Sequence, residues 1–412
     1  MKKMLYWIDL MMLSLMIVSL PSLEAPKNIF LVGYLLTRTF TEIDQFKRGI
    51  RQWSNWDSLF LTIVFTAFLS TWFAGLSGLE EWKGYKVLLT AILTGWFLSR
   101  AHYTQENYQN LFKIIVLSAI APLIWGFYEY LIIHTKSTLQ LHSVGHVNHS
   151  AIYLVMIFGS SLGWFLSELN FKKEMSGSKW KLIFLGMVSL MFFLGLIIGQ
   201  SRGAFGVAVM LILSLLFFLG QHKKIKIMGG VGILSILLLI IILKAGIVQK
   251  QINNQETHNL LANRNEVWNV SLEAARFSPF LGIGMSNWHF ISLERLKKSV
   301  EVRGEIFNPK KYFFPGHSHN LYLTALVERG VVGLMMTFLL MIAWIRQLIK
   351  TLDLAKKSSE AMYLWAGSFS AWITTFVIGL VNTTFHHEHA ILACVLLGLF
   401  LSYSNLFFEK KK

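Results

Sequence analysis

A single cysteine, Cys394, occurs in 412 residues, inside an apolar run. No disulfide framework is possible within one chain, so the fold owes nothing to oxidation. Charge is also scarce: 15% of residues are charged, against 54% hydrophobic, and the mean hydropathy is +0.52. A soluble domain of this composition would aggregate, which points to a polytopic membrane protein. Acidic residues are scarcer than basic ones, 22 against 38, for a formal net charge of +16. In a soluble protein that excess would suggest nucleic acid. Here the basic residues cluster between apolar runs, so charge that sets membrane topology accounts for them and no nucleic-acid partner is needed. No tandem repeat, low-complexity tract or HExxH spacing occurs.

Twelve apolar runs approach the ~20 residues that cross a bilayer. They lie at 4–22, 25–41, 57–76, 84–101, 111–133, 149–169, 180–199, 202–220, 226–246, 320–346, 359–382 and 388–408. The expected fold class is therefore all-α, a polytopic membrane protein with about twelve transmembrane helices. Arg38 and Glu42 shorten the second run. The first has the basic start and apolar core of a signal peptide, but PSLEAPKN leads at once into the next run. That favours an uncleaved first span.

The connections alternate in charge. One set carries Lys2 and Lys3; Arg38, Lys47, Arg48 and Arg51; Arg100 and Lys113; Lys172, Lys173, Lys179 and Lys181; Lys223, Lys224 and Lys226; Arg346, Lys350, Lys356 and Lys357; and Lys410, Lys411 and Lys412. The short connections of the other set carry only Lys27, Lys83, Lys86, Lys136 and Arg202. By the positive-inside rule both termini are cytoplasmic. The chain then divides into nine spans over 1–246, one large outward-facing loop over 247–318, and three spans over 319–412. Within the loop, HNLLANRNEVWNVSLEAARF has helical spacing, with Leu260, Val267, Val270, Leu272 and Ala275 on one face. SPFLGIGMSNW is a turn-rich break containing Pro279, Gly282 and Gly284. HFISLERLKKSV reads as a second short amphipathic helix. The aromatic residues Trp268, Trp288, Tyr312, Phe313 and Phe314 either anchor the loop at the interface or stack on sugars.

Polar clusters collect on the outward side: GHVNHSAIYL (145–154), GQSRGAFG (199–206), NRNEVW (263–268), HSHNLYLTALVERGVVG (317–333) and FHHEHA (385–390). They gather His146, His149, Arg202, Arg264, His317, His319, His386, His387, Glu388 and His389 near one membrane face. Each alone has an ordinary explanation. Arg202 can snorkel at the interface, Arg264 can sit solvated on a helix, and His319 can bond a backbone group at a helix start. Residues 320–346 would make a helix of about 40 Å at 1.5 Å per residue, longer than the ~30 Å hydrocarbon core. Its first turns, with Glu328 and Arg329, can then stand above bare lipid. Taken together, boundary arginines and histidines on one face mark a candidate functional site. Two guanidiniums suit a diphosphate, and an imidazole can accept a proton near neutrality.

The spacing of His319-Asn320, nine residues, Gly330, two residues and Gly333 resembles the signature of bacterial O-antigen ligases. Their superfamily includes O-antigen polymerases and protein O-oligosaccharyltransferases. GHVNHSAIYL, SRGAFG and RNEVWNVSLEAARFSPFLGIGMSNW resemble further segments of that family, in the same order. The likeness covers about 145–345 by motif and the whole chain by topology. It implies a membrane glycosyltransferase fold of the C type, acting without a cofactor or metal and with inversion at the anomeric carbon. The implied donor is an undecaprenyl-diphosphate-linked O-polysaccharide and the implied acceptor a sugar hydroxyl of lipid A–core, at the periplasmic face of a Gram-negative inner membrane. Arg202 and Arg264 match the family arginines and would hold the donor diphosphate; His319 matches the family histidine and would either take the acceptor proton or position the acceptor. Asn320 caps the helix or bonds the acceptor. His317, His149 and Glu388 are supporting or acceptor-binding candidates to which the resemblance carries no role. Three rivals follow from the same residues: an O-antigen polymerase, a flippase for lipid-linked sugars, and a metal enzyme using the histidines.

Overall fold

The computed structural model describes residues 2–49, 52–74, 80–141, 144, 146–171, 179–221, 263–314 and 316–409, with a few isolated positions between 223 and 232. The described residues form helices and connections, with no strand among them. In chain order they are α1 (Lys2–Ser19), α2 (Glu24–Lys47), α3 (Asn55–Phe73), α4 (Glu80–Ser99), α5 (Gln105–Ser118), α6 (Ile120–Tyr128), α7 (Val147–Asn170), α8 (Lys179–Ile198), α9 (Arg202–Leu219), α10 (Arg264–Ala275), α11 (Leu293–Val302), α12 (Leu321–Ala355), α13 (Ser359–Val377) and α14 (His387–Glu409). Several starts are written in the sequence. Ser54 accepts from the Asp57 amide while the Asp57 carboxylate accepts from the Ser54 amide, a capping box that opens α3.

Eight segments among the described residues are long and apolar enough to cross a membrane: α3, α5 through the π-turn at Glu129–Ile133, α7, α8, α9, α12, α13 with its 3-10 extension, and α14. They mark a multi-pass membrane protein. The expectation of about twelve spans is thereby met only in part. Runs one, two and four are helices of 18, 24 and 20 residues, but they carry more charge than a plain span. The run at 226–246 lies largely outside the described residues. The centre of the bundle is α7, α13 and α14, each buried almost all round, as expected of helices that are apolar on every face. Small residues bring α7 and α13 together. A Cβ on Gly159 would fall 2.1 Å from Ser370 Oγ, and one on Gly163 would fall 2.2 Å from the Ala366 Cβ. This is the close approach that residues spaced by four permit in membrane helices.

The segment between 263 and 314 folds into a small unit with its own core of Val270, Ala274, Ile283, Trp288, Ile291 and Leu296. The bidentate pair of Arg303 with Glu273, at 2.6 and 2.9 Å, ties α11 to α10. The expected face of the first helix needs one correction. Val267, Val270 and Ala275 are buried, but Leu272 is 51% exposed and Ala274 takes its place; Leu260 lies outside the described residues. Trp288 is buried within this core rather than free to anchor at an interface.

The largest departure concerns α12. It is not one 40 Å rod. It breaks at Gly330, whose φ of 65° and ψ of −166° only glycine adopts readily. The loop 279–284 repairs the break with its own backbone. The amides of Ile283 and Gly284 donate to the carbonyls of Val327 and Glu328 at 2.9 and 3.1 Å. The amides of Val331 and Val332 donate to Pro279 and Phe280 at 2.8 and 3.3 Å. Ser70 of α3 donates its hydroxyl to the carbonyls of Leu281 and Glu328. Backbone groups that a helix break would leave unpaired are thus satisfied from outside the helix. A Cβ on Gly330 would sit 2.2 Å from the Phe280 carbonyl oxygen, and one on Gly282 2.3 Å from the Glu328 carbonyl carbon. The glycines of the two motifs are therefore two halves of one joint.

Candidate functional site

The joint fixes a short helix, 321–329, beneath which the polar segments converge. Asn320 is the N-cap. Its Oδ1 accepts from the amides of Tyr322 and Leu323 at 2.9 and 3.0 Å, and its Nδ2 donates to the Leu380 carbonyl at 2.9 Å. Both ends of that amide are engaged within the chain, and the side chain caps the helix. Ser318 donates to the Asn320 carbonyl at 2.6 Å, stiffening the approach.

His319 stands just before the cap with φ 49°. Gln200, Asn263 and His387 share this left-handed backbone. They lie two residues before Arg202, one before Arg264, and at the start of α14. Such a conformation costs a non-glycine residue about 1–2 kcal/mol, and strain of this kind gathers at functional sites. The imidazole of His317 lies 4.1 Å from that of His319, centroid to centroid. Burial, the neighbouring His317 and then Arg264 lower the His319 pKa from 6.5 to about 4, opposed by a hydrogen bond with the Asn382 side chain. Arg264 is itself lowered, by burial and by the charge of Arg202. Arg202, Arg264 and His319 therefore share one electrostatic neighbourhood, although they come from α9, the loop unit and the approach to α12. Ser201, the residue before Arg202, is held to α7 by a 3.4 Å contact with Asn148.

A second group of imidazoles adjoins the first. His149 of α7 packs against His146, His386, His387 and His389 at centroid distances of 5.6, 4.8, 5.1 and 5.5 Å. Burial and the surrounding histidines hold His386 well below its usual pKa. No group of three His, Cys, Asp or Glu suited to a metal ion occurs among the described residues. Glu388 accepts from Lys27 of α2 in a buried pair at 2.5 Å. A cavity of about 300 Å³ opens beside these groups, lined by His149, His317, His386 and His387 on one wall and by Thr324 and Arg329 on another. Glu328 also borders this cavity, with its carboxylate accepting from the Ser286 amide at 3.1 Å and the Trp288 indole at 2.9 Å.

The sequence named His319, Arg202, Arg264, His317 and His149, and the fold brings all five to one end of the bundle. It did not single out Asn382 or Lys27. Asn382 could have been noticed as one more polar residue just ahead of the HHEH run. Lys27 had no local signal, because its partner lies 361 residues away.

Fold and site together define a multi-pass helical membrane protein with cations and neutral imidazoles focused at one end. Residues 186–338 match the model of a family described as O-Antigen ligase, and this span contains Arg202, Arg264, His319, Gly330 and Gly333. The resemblance read from the motifs holds for that segment. The exopolysaccharide production protein ExoQ of Rhizobium meliloti is 28% identical over 127 residues, which is 31% of this chain and 28% of that protein. A Rickettsia felis protein provisionally named a polysaccharide ligase is 26% identical over 121 residues, 29% of this chain and 26% of that protein. The chain thus spans about a quarter of the length of these curated relatives.

Proposed function

We propose that the chain is an O-antigen ligase. In this reading it is an inverting, metal-independent glycosyltransferase that moves an O-polysaccharide from undecaprenyl diphosphate to a sugar hydroxyl of lipid A–core. It works at the periplasmic face of a Gram-negative inner membrane, among membrane lipids, with both termini in the cytoplasm. The observation that carries the reading is the electrostatic coupling of Arg202, Arg264 and His319 inside the family-matched segment.

The chemistry follows from those groups. The bond between the anomeric carbon and the diphosphate oxygen breaks, and the diphosphate keeps the electron pair. Arg202 and Arg264 meet that growing negative charge in a site of low dielectric, where such contacts are strongest. The acceptor hydroxyl attacks the opposite face of the anomeric carbon, and its proton passes to His319. An imidazole with a pKa of about 4 is neutral and ready to accept, but weakly basic. Part of that depression comes from Arg264. A bound diphosphate neutralises Arg264 and so raises the basicity of His319 when the donor is in place.

A polymerase reading differs only in the acceptor, a second lipid-linked glycan. The similarity to a protein named for exopolysaccharide production favours keeping it in view. Deleting the gene tests both. Loss of the long lipopolysaccharide ladder, with full-length polymer left on the lipid carrier, supports the ligase; core bearing a single repeat supports the polymerase; an unchanged ladder contradicts both.

A further inference from the structure

We propose that Arg329 forms a binding site for an acidic substituent of a saccharide, a phosphate ester or a carboxylate, in the cavity beside His317. Arg329 is the last residue before the break in α12. The break swings its side chain down along the lower helix. A Cβ on Gly333 would lie 2.2 Å from the Arg329 Cβ, so the second glycine of the motif makes room for the arginine to pass. The guanidinium then reaches Thr337, whose Oγ1 it approaches at 3.4 Å. It lines both the 300 Å³ cavity and a small apolar recess with Met336, Leu340 and Phe376.

No carboxylate lies within 4 Å of this guanidinium among the described residues. Its neighbour Glu328 borders the same cavity and attracts the guanidinium at longer range, but its carboxylate is taken up by the Ser286 amide and the Trp288 indole. A buried cation that no carboxylate contacts directly is costly and is the mark of a ligand site. The rest of the cavity is suited to a sugar. Thr324 and Thr383 offer hydroxyls, His149 and His317 offer imidazoles, and Trp288 offers an aromatic face. About 300 Å³ is at the small end of ligand pockets, enough for one charged sugar residue. The cavity adjoins His319 through His317, so the bound sugar would belong to one of the two reacting glycans. That last step rests on the glycosyltransfer reading; the anion site does not.

The test is titration calorimetry on the full-length protein in neutral-lipid nanodiscs, using glucose 6-phosphate and glucuronate, with glucose as the uncharged control. Wild type binds both acids and not glucose. Arg329→Met weakens both at least tenfold, while the double variant Arg202→Gln, Arg264→Gln changes them less than threefold. Without ligand, Arg329→Met melts no lower than wild type, because it removes a buried charge that no carboxylate contacts directly. Equal affinity in Arg329→Met overturns the proposal. So does binding lost only in the double variant, and so does an Arg329→Met protein that melts far lower or fails to fold, which would make the arginine structural.

Transfer assays then assign the source. The glycan carrying the anion is the one whose chemical neutralisation gives wild type and Arg329→Met the same KM. If the two proteins keep the same KM on every substrate, charged or neutralised, no reacting glycan uses the site and the proposal fails. Anion binding without transfer in any assay would retain the site and remove the ligase reading.

Discussion

Two polar clusters lie at opposite ends of the same bundle, and they are built on different rules. One is centred on Asp9, Arg38, Glu42, Asp57 and Arg100. Arg38 meets Glu42 at 2.6 Å, and Arg100 meets Glu42 at 2.7 Å and Asp57 at 2.5 Å. Tyr103 donates to Asp9, and Trp96 to Asp57. The other holds His319, Arg264 and Arg329. Lys27 and Arg38 show the separation: both lie on α2, one paired to Glu388 at the start of α14 and the other in the first cluster. Eleven residues of helix between them span roughly 16 Å. In the first cluster the charges answer each other and hold α1, α2, α3 and α4 together. In the second, Arg264 and Arg329 have no carboxylate within 4 Å among the described residues, and the backbone is strained. Charges that find their counter-ions within the chain read as architecture, while cations held without one read as a receptor.

The comparison breaks most visibly under substitution. Arg264→Ala and His319→Ala should each lower transfer by orders of magnitude with the fold intact, read as product formed by purified protein of unchanged melting temperature. Arg264→Lys should rescue poorly, since lysine cannot make a bidentate contact with phosphate. Arg100→Met should do the reverse. Asp57 is then left buried without its cation and Glu42 with Arg38 alone, which costs about 3–5 kcal/mol, while activity per folded molecule stays near wild type. Near-normal stability in Arg100→Met would erase the distinction between the clusters.

Gly330→Ala lies between these extremes. It strains the backbone by about 1–3 kcal/mol and drives a methyl into Phe280, so both melting temperature and turnover should fall. The smallest effect concerns pH. With a folded pKa of about 4 for His319 against 6.5 unfolded, the unfolded chain binds more protons between those values. Stability contributed by neutral His319 is therefore complete above about pH 6.5. It is lost as pH falls toward 4. Thermal melts from pH 7.5 to 4.5 should show a decline that His319→Gln flattens in part; identical slopes would place His319 in a more solvated setting.

How much of this was legible beforehand varies with range along the chain. Capping residues, apolar runs and the His319…Gly333 spacing are local, and they marked most of the helices and the candidate residues. The break in α12 was not legible, because Gly330 in an apolar run reads equally as a packing glycine. Only its contact with Phe280, fifty residues earlier, shows that it is a joint. For the same reason Glu328 and Arg329 looked like one local pair tolerated near headgroups. In the fold both border the cavity, but the Glu328 carboxylate clamps the loop unit while Arg329 runs down to Thr337. Leu272 misled for a simpler reason: a helix of 12 residues has room for more than one apolar face, and the neighbours chose Ala274.

The most direct test of the central claim is transfer by the purified protein from an undecaprenyl-diphosphate-linked glycan to lipid A–core, comparing wild type with Arg264→Gln at saturating acceptor. The account predicts robust product from wild type and a loss of at least a hundredfold from the variant. Wild-type rates in Arg264→Gln would contradict it, because the donor diphosphate would then have no need of the cation that the site places beside His319.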